Sequence, residues 1–279
     1  MSRKPKLKVF ISVDMEGISG IVHGSQTGGE PAEYEKGRAL MAGDVNAAIE
    51  GVLAVDEGTE IVVSDGHSGM RNLKVEDVHE AATLVRGSPK PLTQMEGMDR
   101  DFDAVLFIGY HAKKGTQHGI LDHTISGGVI DSITINGLEV GETGINAAIV
   151  GYYGVPLVFL SGDKAVTKEA EALVPGITTV AVKEAVSRTA AKCLHPKKAR
   201  ELIKRGVSEA LKRRATKPFV FKPPIEVRIS YMNSLMADAV EFMPFVERID
   251  GRIIGFVFDD YIKVFRAARA SIYLAGAVS

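Results

Sequence analysis

The sequence predicts an α/β protein: a mostly parallel sheet flanked by helices, followed by a smaller α+β unit at the C-terminus. Three observations predict it. Short apolar, β-branched runs alternate with helix-like segments through the first two-thirds of the chain. Several of these runs end abruptly in polar residues, as strands of an open α/β sheet do where function gathers. After Cys193 the pattern changes to a basic amphipathic segment, a proline-rich stretch and a hairpin-like run.

Taken in order, LKVFISV (7–13) reads as a buried strand and YEKGRALMAGDVNAAIEGVLAVDEG as a long helix. Leu40, Val45, Ala48, Ile49 and Val52 give that helix its spacing, and Gly58 offers a stop. EIVVSDGHSG and FDAVLFIGYHA are strands running into polar ends, with TLVRG a short strand between them. IDSITINGLEVG is a hairpin turning at Asn136-Gly137. ETGINAAIVGYYG is a helix, VPLVFLSGD a strand, KEAEALV a helix and ITTVAV a strand. HPKKARELIKRGVSEALKRR is a helix opened by proline. Pro223-Pro224 argues against a central strand in KPFVFKPPIEVRIS. NSLMADAVEFM is helical, VERIDGRIIGFVF a hairpin and DDYIKVFRAARASIYLA a terminal helix. The expected division is an α/β unit over 1–195, which carries these polar strand ends, and a smaller α+β unit over 196–279.

With 279 residues, 45% of them apolar, the chain can bury a sizeable core. The 34 basic and 35 acidic residues nearly cancel, which speaks against nucleic acid or an anionic membrane as partner. One cysteine excludes an internal disulfide framework and fits a reducing compartment. MSRKPKLKVF holds no long apolar run, so no secretory signal is expected, and no stretch is apolar enough for a membrane span. A cytoplasmic protein is the expectation.

Asp14 and Glu16 close the first strand two residues apart, on one face if the chain stays extended. Burying both charges is costly unless something positive lies between them. His67 and His111 follow two further strands, and Glu142 opens a helix that can reach the same edge. Carboxylates and histidines in this number suit Zn²⁺ or a similar divalent ion, and their count suggests two ions sharing a carboxylate. Each residue also has an ordinary reading. Asp14 and Glu16 can be solvated strand-end acids, Glu142 a helix-dipole partner, and Asp65 a ligand or a turn former. His123 lies in a glycine-rich loop and suits an acid/base role, with His118 facing solvent. His23 and His79 read as surface or structural, and His195 as a helix N-terminal residue. Cys193 reads as buried and inert. No phosphate-binding glycine loop occurs, and the Lys/Arg cluster at 197–214 reads as a solvated helix face.

Together, SVDMEGISG, SDGHSGMRNL, MEGMD, FIGYHA, DHTISG, NGLEVGETGINAAIVGYYGVP and SRTAAKCLHP resemble the D-aminopeptidase family of binuclear zinc peptidases, associated with dipeptide transport. The resemblance runs from about residue 8 to 200 and continues more weakly beyond. It implies zinc ligands at Asp14, Glu16, His67, His111 and Glu142, with Asp14 bridging two Zn²⁺ per subunit. The catalytic histidine it implies falls on His123, with His118 the competing position. It further implies a metal-activated bridging water, short peptides with N-terminal D-residues as substrates, and a homo-decamer of stacked pentamers. Two readings stand beside it: a metal-dependent amidase for L-peptides or other amides, and a non-catalytic metal- or peptide-binding protein of a transport system.

Overall fold

The computed structural model describes residues 6–279. Arg3, Lys4 and Pro5, part of the N-terminal stretch read as carrying no secretory signal, lie outside the described residues. The chain runs β1 (Lys8–Val13), α1 (Pro31–Leu53), β2 (Glu60–Asp65), β3 (Ala82–Val85) and β4 (Ala104–Tyr110). A hairpin, β5 (Ile130–Ile135) and β6 (Leu138–Glu139), precedes α2 (Glu142–Tyr152), β7 (Leu157–Asp163) and α3 (Lys164–Leu173). Then come β8 (Thr178–Ser187), β9 (Ala190–Cys193), α4 (Pro196–Arg213), β10 (Ile225–Tyr231) and α5 (Ser234–Val240). β11 (Glu247–Asp250), β12 (Ile253–Phe258) and α6 (Tyr261–Gly276) end it.

The first sheet has the order β3-β2-β1-β4-β7-β8-β9, all parallel except β9. Its central strands are covered on both faces, which is why they read as continuous apolar runs rather than alternating ones. Along β1, Val9, Ile11 and Val13 enter one core with α1 and α4, while Phe10 enters the other with α2 and the second sheet. The strand order places the site. From β1 the chain moves outward to β2 and β3, then returns to add β4 on the opposite side of β1. Beyond the carboxyl ends of β1 and β4 the connections diverge and leave a crevice.

The second sheet, β11-β12-β10-β5-β6, is antiparallel. Asn136 and Gly137 turn the β5–β6 hairpin with positive φ at both positions (48° and 80°), the backbone that a two-residue primed turn needs. β10 is the middle strand here, and it begins at Ile225, just past Pro224, so the prolines remove no ladder donor.

The two sheets do not divide at 195/196. β5 and β6, well before that point, supply one side of the second sheet, where Ile133 and Ile135 pair with Ile229 and Val227. α4, after it, belongs to the first sheet, because its apolar stripe (Ala199, Ile203, Val207) shares a core with Val45 and Ile49 of α1. Two other expectations also change. α1 ends at Leu53 with Ala54 as cap, ahead of Gly58. AAKC forms the edge strand β9, and Cys193 is exposed there rather than buried, because an edge strand has no neighbour to cover it. No helix among the described residues is long and apolar enough to cross a membrane.

Candidate metal centre

The loops after β1 and β4 touch, and two glycines allow it. A Cβ on Gly17 would lie 1.9 Å from the Tyr110 carbonyl oxygen, and one on Gly109 (φ 71°) 2.4 Å from that of Asp14. The Asp14 amide donates to Ile108 O and the Gly17 amide to Gly109 O, at 2.9 and 2.8 Å. This contact sets Asp14 and Glu16 against His111. Lys183, buried on β8, then pins the outgoing loop. Its ammonium donates to the carbonyls of Glu16, Ile18 and Ile21 at 2.5, 2.8 and 2.5 Å. Burial pushes that ammonium down to about 8.

Three histidines meet there, each fixed in one tautomer by a backbone carbonyl. His67 Nε2 donates to Thr27 O at 2.8 Å, His111 Nδ1 to Ala112 O at 2.9 Å and His123 Nδ1 to Leu121 O at 2.9 Å. A carbonyl only accepts, so the other ring nitrogen of each histidine is free to present a lone pair inward. His67 Nδ1 lies 3.4 Å from Asp14 Oδ1 and 3.1 Å from Glu16 Oε2. His111 Nε2 lies 3.4 Å from Asp14 Oδ2 and 3.3 Å from Glu142 Oε1. The two Asp14 oxygens thus face opposite ways, one toward each histidine. The His123 ring stacks on His111 with centroids 4.1 Å apart, and its Nε2 is 3.7 Å from Glu142 Oε1.

Glu142 is held from behind. Its Oε2 accepts from Gln94 at 2.6 Å and its Oε1 from the Ile125 amide at 2.8 Å. Asn146, one turn further along α2, donates to Gln94 Oε1 and to Tyr110 Oη, and Tyr110 is bonded to Ser12.

Burial works to raise the three carboxyls, and the adjacent histidines hold all three below their ordinary values instead. Burial works to lower His67 and His111. Glu16 with Asp14 on one, and Glu142 with Asp14 on the other, push both well above the usual imidazole value. Positive charge is therefore what this cluster attracts.

Its geometry fits a metal better than protons. Glu16 Oε2 and His111 Nε2 are buried without a hydrogen-bond partner. Three of the four contacts that His67 and His111 make with carboxylates, at 3.3–3.4 Å, exceed the span of about 2.7–3.2 Å typical of N–H···O bonds, and only His67 Nδ1–Glu16 Oε2, at 3.1 Å, falls within it. Donors about 2.0–2.1 Å from a tetrahedral zinc stand roughly 3.3 Å from one another, which is the spacing seen. Asp14, Glu16 and His111 form one group with metal-ligand spacing, and His111, His123 and Glu142 another.

A model of the D-aminopeptidase family matches residues 7–270. The chain belongs to this family. It is an aminopeptidase, a hydrolase. A D-aminopeptidase of Bacillus subtilis (strain 168) is 38% identical over 272 residues, 96% of this chain and 98% of the relative. A solved structure of DppA from Bacillus subtilis, a Zn-dependent D-aminopeptidase described as a self-compartmentalizing protease, superposes with a TM-score of 0.94 at 36% identity. That match covers 98% of this chain and 99% of the other.

All five expected ligands converge, with His123 beside them. His118 does not. It is exposed and lines a separate cavity with Lys113, Lys164 and Glu169. Asp65 is a turn former: its carboxylate accepts from the Asn72 and Leu73 amides. His23 and His195 cap helices, and the His79 ring accepts from the Ala81 amide. Sequence reasoning missed Gln94, Tyr110, Lys183 and Arg269. A lysine inside an apolar strand was the one visible signal, at Lys183. The centre opens into a cavity of about 230 Å³ lined by His67, Gln94, His123, Ile145, Phe265 and Arg269, among others.

Proposed function

We propose that the chain is a zinc-dependent aminopeptidase that cleaves short peptides with N-terminal D-residues of the D-alanyl kind. The observation that carries this reading is the two-sided Asp14 carboxylate, each of whose oxygens faces a histidine nitrogen that also reaches a second carboxylate. Asp14, Glu16 and His67 would hold one Zn²⁺, and Asp14, His111 and Glu142 a second. When bound, such a pair supplies a bridging water of lowered pKa and a Lewis acid for the scissile carbonyl.

The chain's own residues do the rest. His123 carries its proton on Nδ1, so Nε2 is free to take a proton from the attacking water and hand it to the leaving amine. The Leu121 carbonyl and the stack on His111 orient that ring, and Gln94 keeps the neighbouring Glu142 in place. The small cavity, below the roughly 300–1,000 Å³ of drug-sized sites, suits a peptide of a few small residues.

A closed assembly, a decamer of stacked pentamers, belongs to the same proposal. It is supported by the self-compartmentalizing relative and by exposed apolar side chains around α5 and β12, including Leu235, Phe242 and Val257. A cytoplasmic location rests on the lone thiol, which a reducing compartment keeps free.

The test is elemental analysis together with hydrolysis of D-Ala-D-Ala and L-Ala-L-Ala, with and without chelator. About two zinc ions per chain and chelator-sensitive cleavage of the D-peptide alone are expected. Cleavage of the L-peptide alone would overturn the stereochemistry and keep the centre, whereas zinc bound with neither peptide cleaved would favour a binding protein.

A further inference from the structure

The cavity over the metal centre has a second chemical pole. Arg269, on α6, lines it, and among the described lining residues it is the one cationic side chain besides histidine. The guanidinium is held in place without being neutralised. Nη2 donates to Tyr273 Oη at 3.1 Å, and the guanidinium carbon lies 4.9 Å from the Tyr273 ring centroid. Nε is buried with no hydrogen-bond partner, and among the described residues the group's one side-chain hydrogen bond goes to a neutral hydroxyl, not to a carboxylate. A guanidinium stays charged at every working pH, and a buried unbonded N–H of such a group costs stability unless a ligand completes it. Ile125, Ile145 and Phe265 line the cavity with Arg269 and give it an apolar side.

We propose that Arg269 is a specificity residue that receives the free C-terminal carboxylate of the substrate. This rests on the peptidase reading above and sharpens it to a class: short peptides free at both ends. A planar guanidinium matches a carboxylate in a two-bond fork, and every unblocked peptide carries one carboxylate at its far end. In a cavity of about 230 Å³ that end cannot be distant from the scissile bond. A C-terminal amide has the same shape, lacks the charge and leaves the guanidinium unpaired, so it is rejected. Arg269 acts away from the reacting atoms, so its contribution falls on KM more than on kcat.

The experiment compares D-Ala-D-Ala with its C-terminal amide on the zinc-loaded wild-type protein, Arg269→Met and Arg269→Lys. Wild type is expected to favour the free acid by about 10–100-fold in kcat/KM, the size of one charge-assisted hydrogen-bond pair. The ratio should collapse toward one in Arg269→Met, chiefly through KM, and recover in part in Arg269→Lys. Arg269→Gln replaces the methionine variant if that one does not fold. A wild-type ratio near one, or a ratio that the neutral variant leaves unchanged, would overturn the proposal while leaving the peptidase intact. Cleavage of neither peptide would sink the D-peptide reading and the proposal with it.

Discussion

At the scale of single residues, Asp14 differs in kind from its neighbours. It alone turns one oxygen to each half of the centre. Asp14→Ala is therefore expected to lose both zinc ions, and Glu16→Gln or His67→Ala only one, as read by elemental analysis of the dialysed protein. Retention of both ions in Asp14→Ala would refute the shared-ligand arrangement. His123→Ala should keep its zinc and lose about 10²–10⁴-fold in kcat, the usual worth of a positioned acid/base group. His118→Ala should behave as wild type, since His118 is exposed on another cavity. Zinc lost along with activity in His123→Ala would make that residue a ligand instead. The residues proposed as ligands were legible in the sequence because each ends an apolar strand or opens a helix, and those positions are local. Asp65 was not separable from them by that signal. Only the Asn72 and Leu73 amides closing onto its carboxylate show that it holds a turn.

Among the elements, the loop leaving β1 is the most constrained. It is packed against β4 at Gly17 and tied to β8 by Lys183. Lys183→Met would leave three buried carbonyls without their shared donor. A loss of about 2–4 kcal/mol in denaturant unfolding of the metal-free protein is expected, with weaker zinc binding as Glu16 is released. Unchanged stability would mean that water replaces the ammonium. Most elements were readable, because helical and alternating periodicities are written locally. The edge strand β9 was not, since AAKC is too short and mixed to signal a strand until β8 offers it a ladder. The same lack of context left Cys193 misread as buried.

For the whole molecule, the centre links stability to pH and metal. In the metal-free protein Asp14, Glu16 and Glu142 sit below their unfolded values, so their stabilisation is lost as pH falls below about 4. His67 and His111 sit above theirs. Their stabilisation is complete below about pH 6.5 and disappears as pH rises through the raised folded values. Metal-free protein should therefore melt lower at pH 8.5 than at pH 6. Zinc binds more tightly as the histidines deprotonate, so the rise in Tm on adding zinc should be larger at pH 8.5. Thermal melts at both pH values, with chelator and with excess zinc, check this; an equal rise at the two would contradict it.

By itself the sequence determined the α/β class, the order of the elements and five candidate ligands gathered at strand and helix ends, because strand periodicity and strand-end chemistry are properties of neighbouring residues. Tertiary structure alone decided that His67 and His111 lie on opposite sides of Asp14, that His123 and not His118 lies beside them, and that β5, β6 and α4 cross the expected boundary. It also brought in Lys183, 167 residues from Glu16, and Arg269 from the last helix. Contacts over such separations exist only once the sheets have closed on a common core. Local pattern does not encode them.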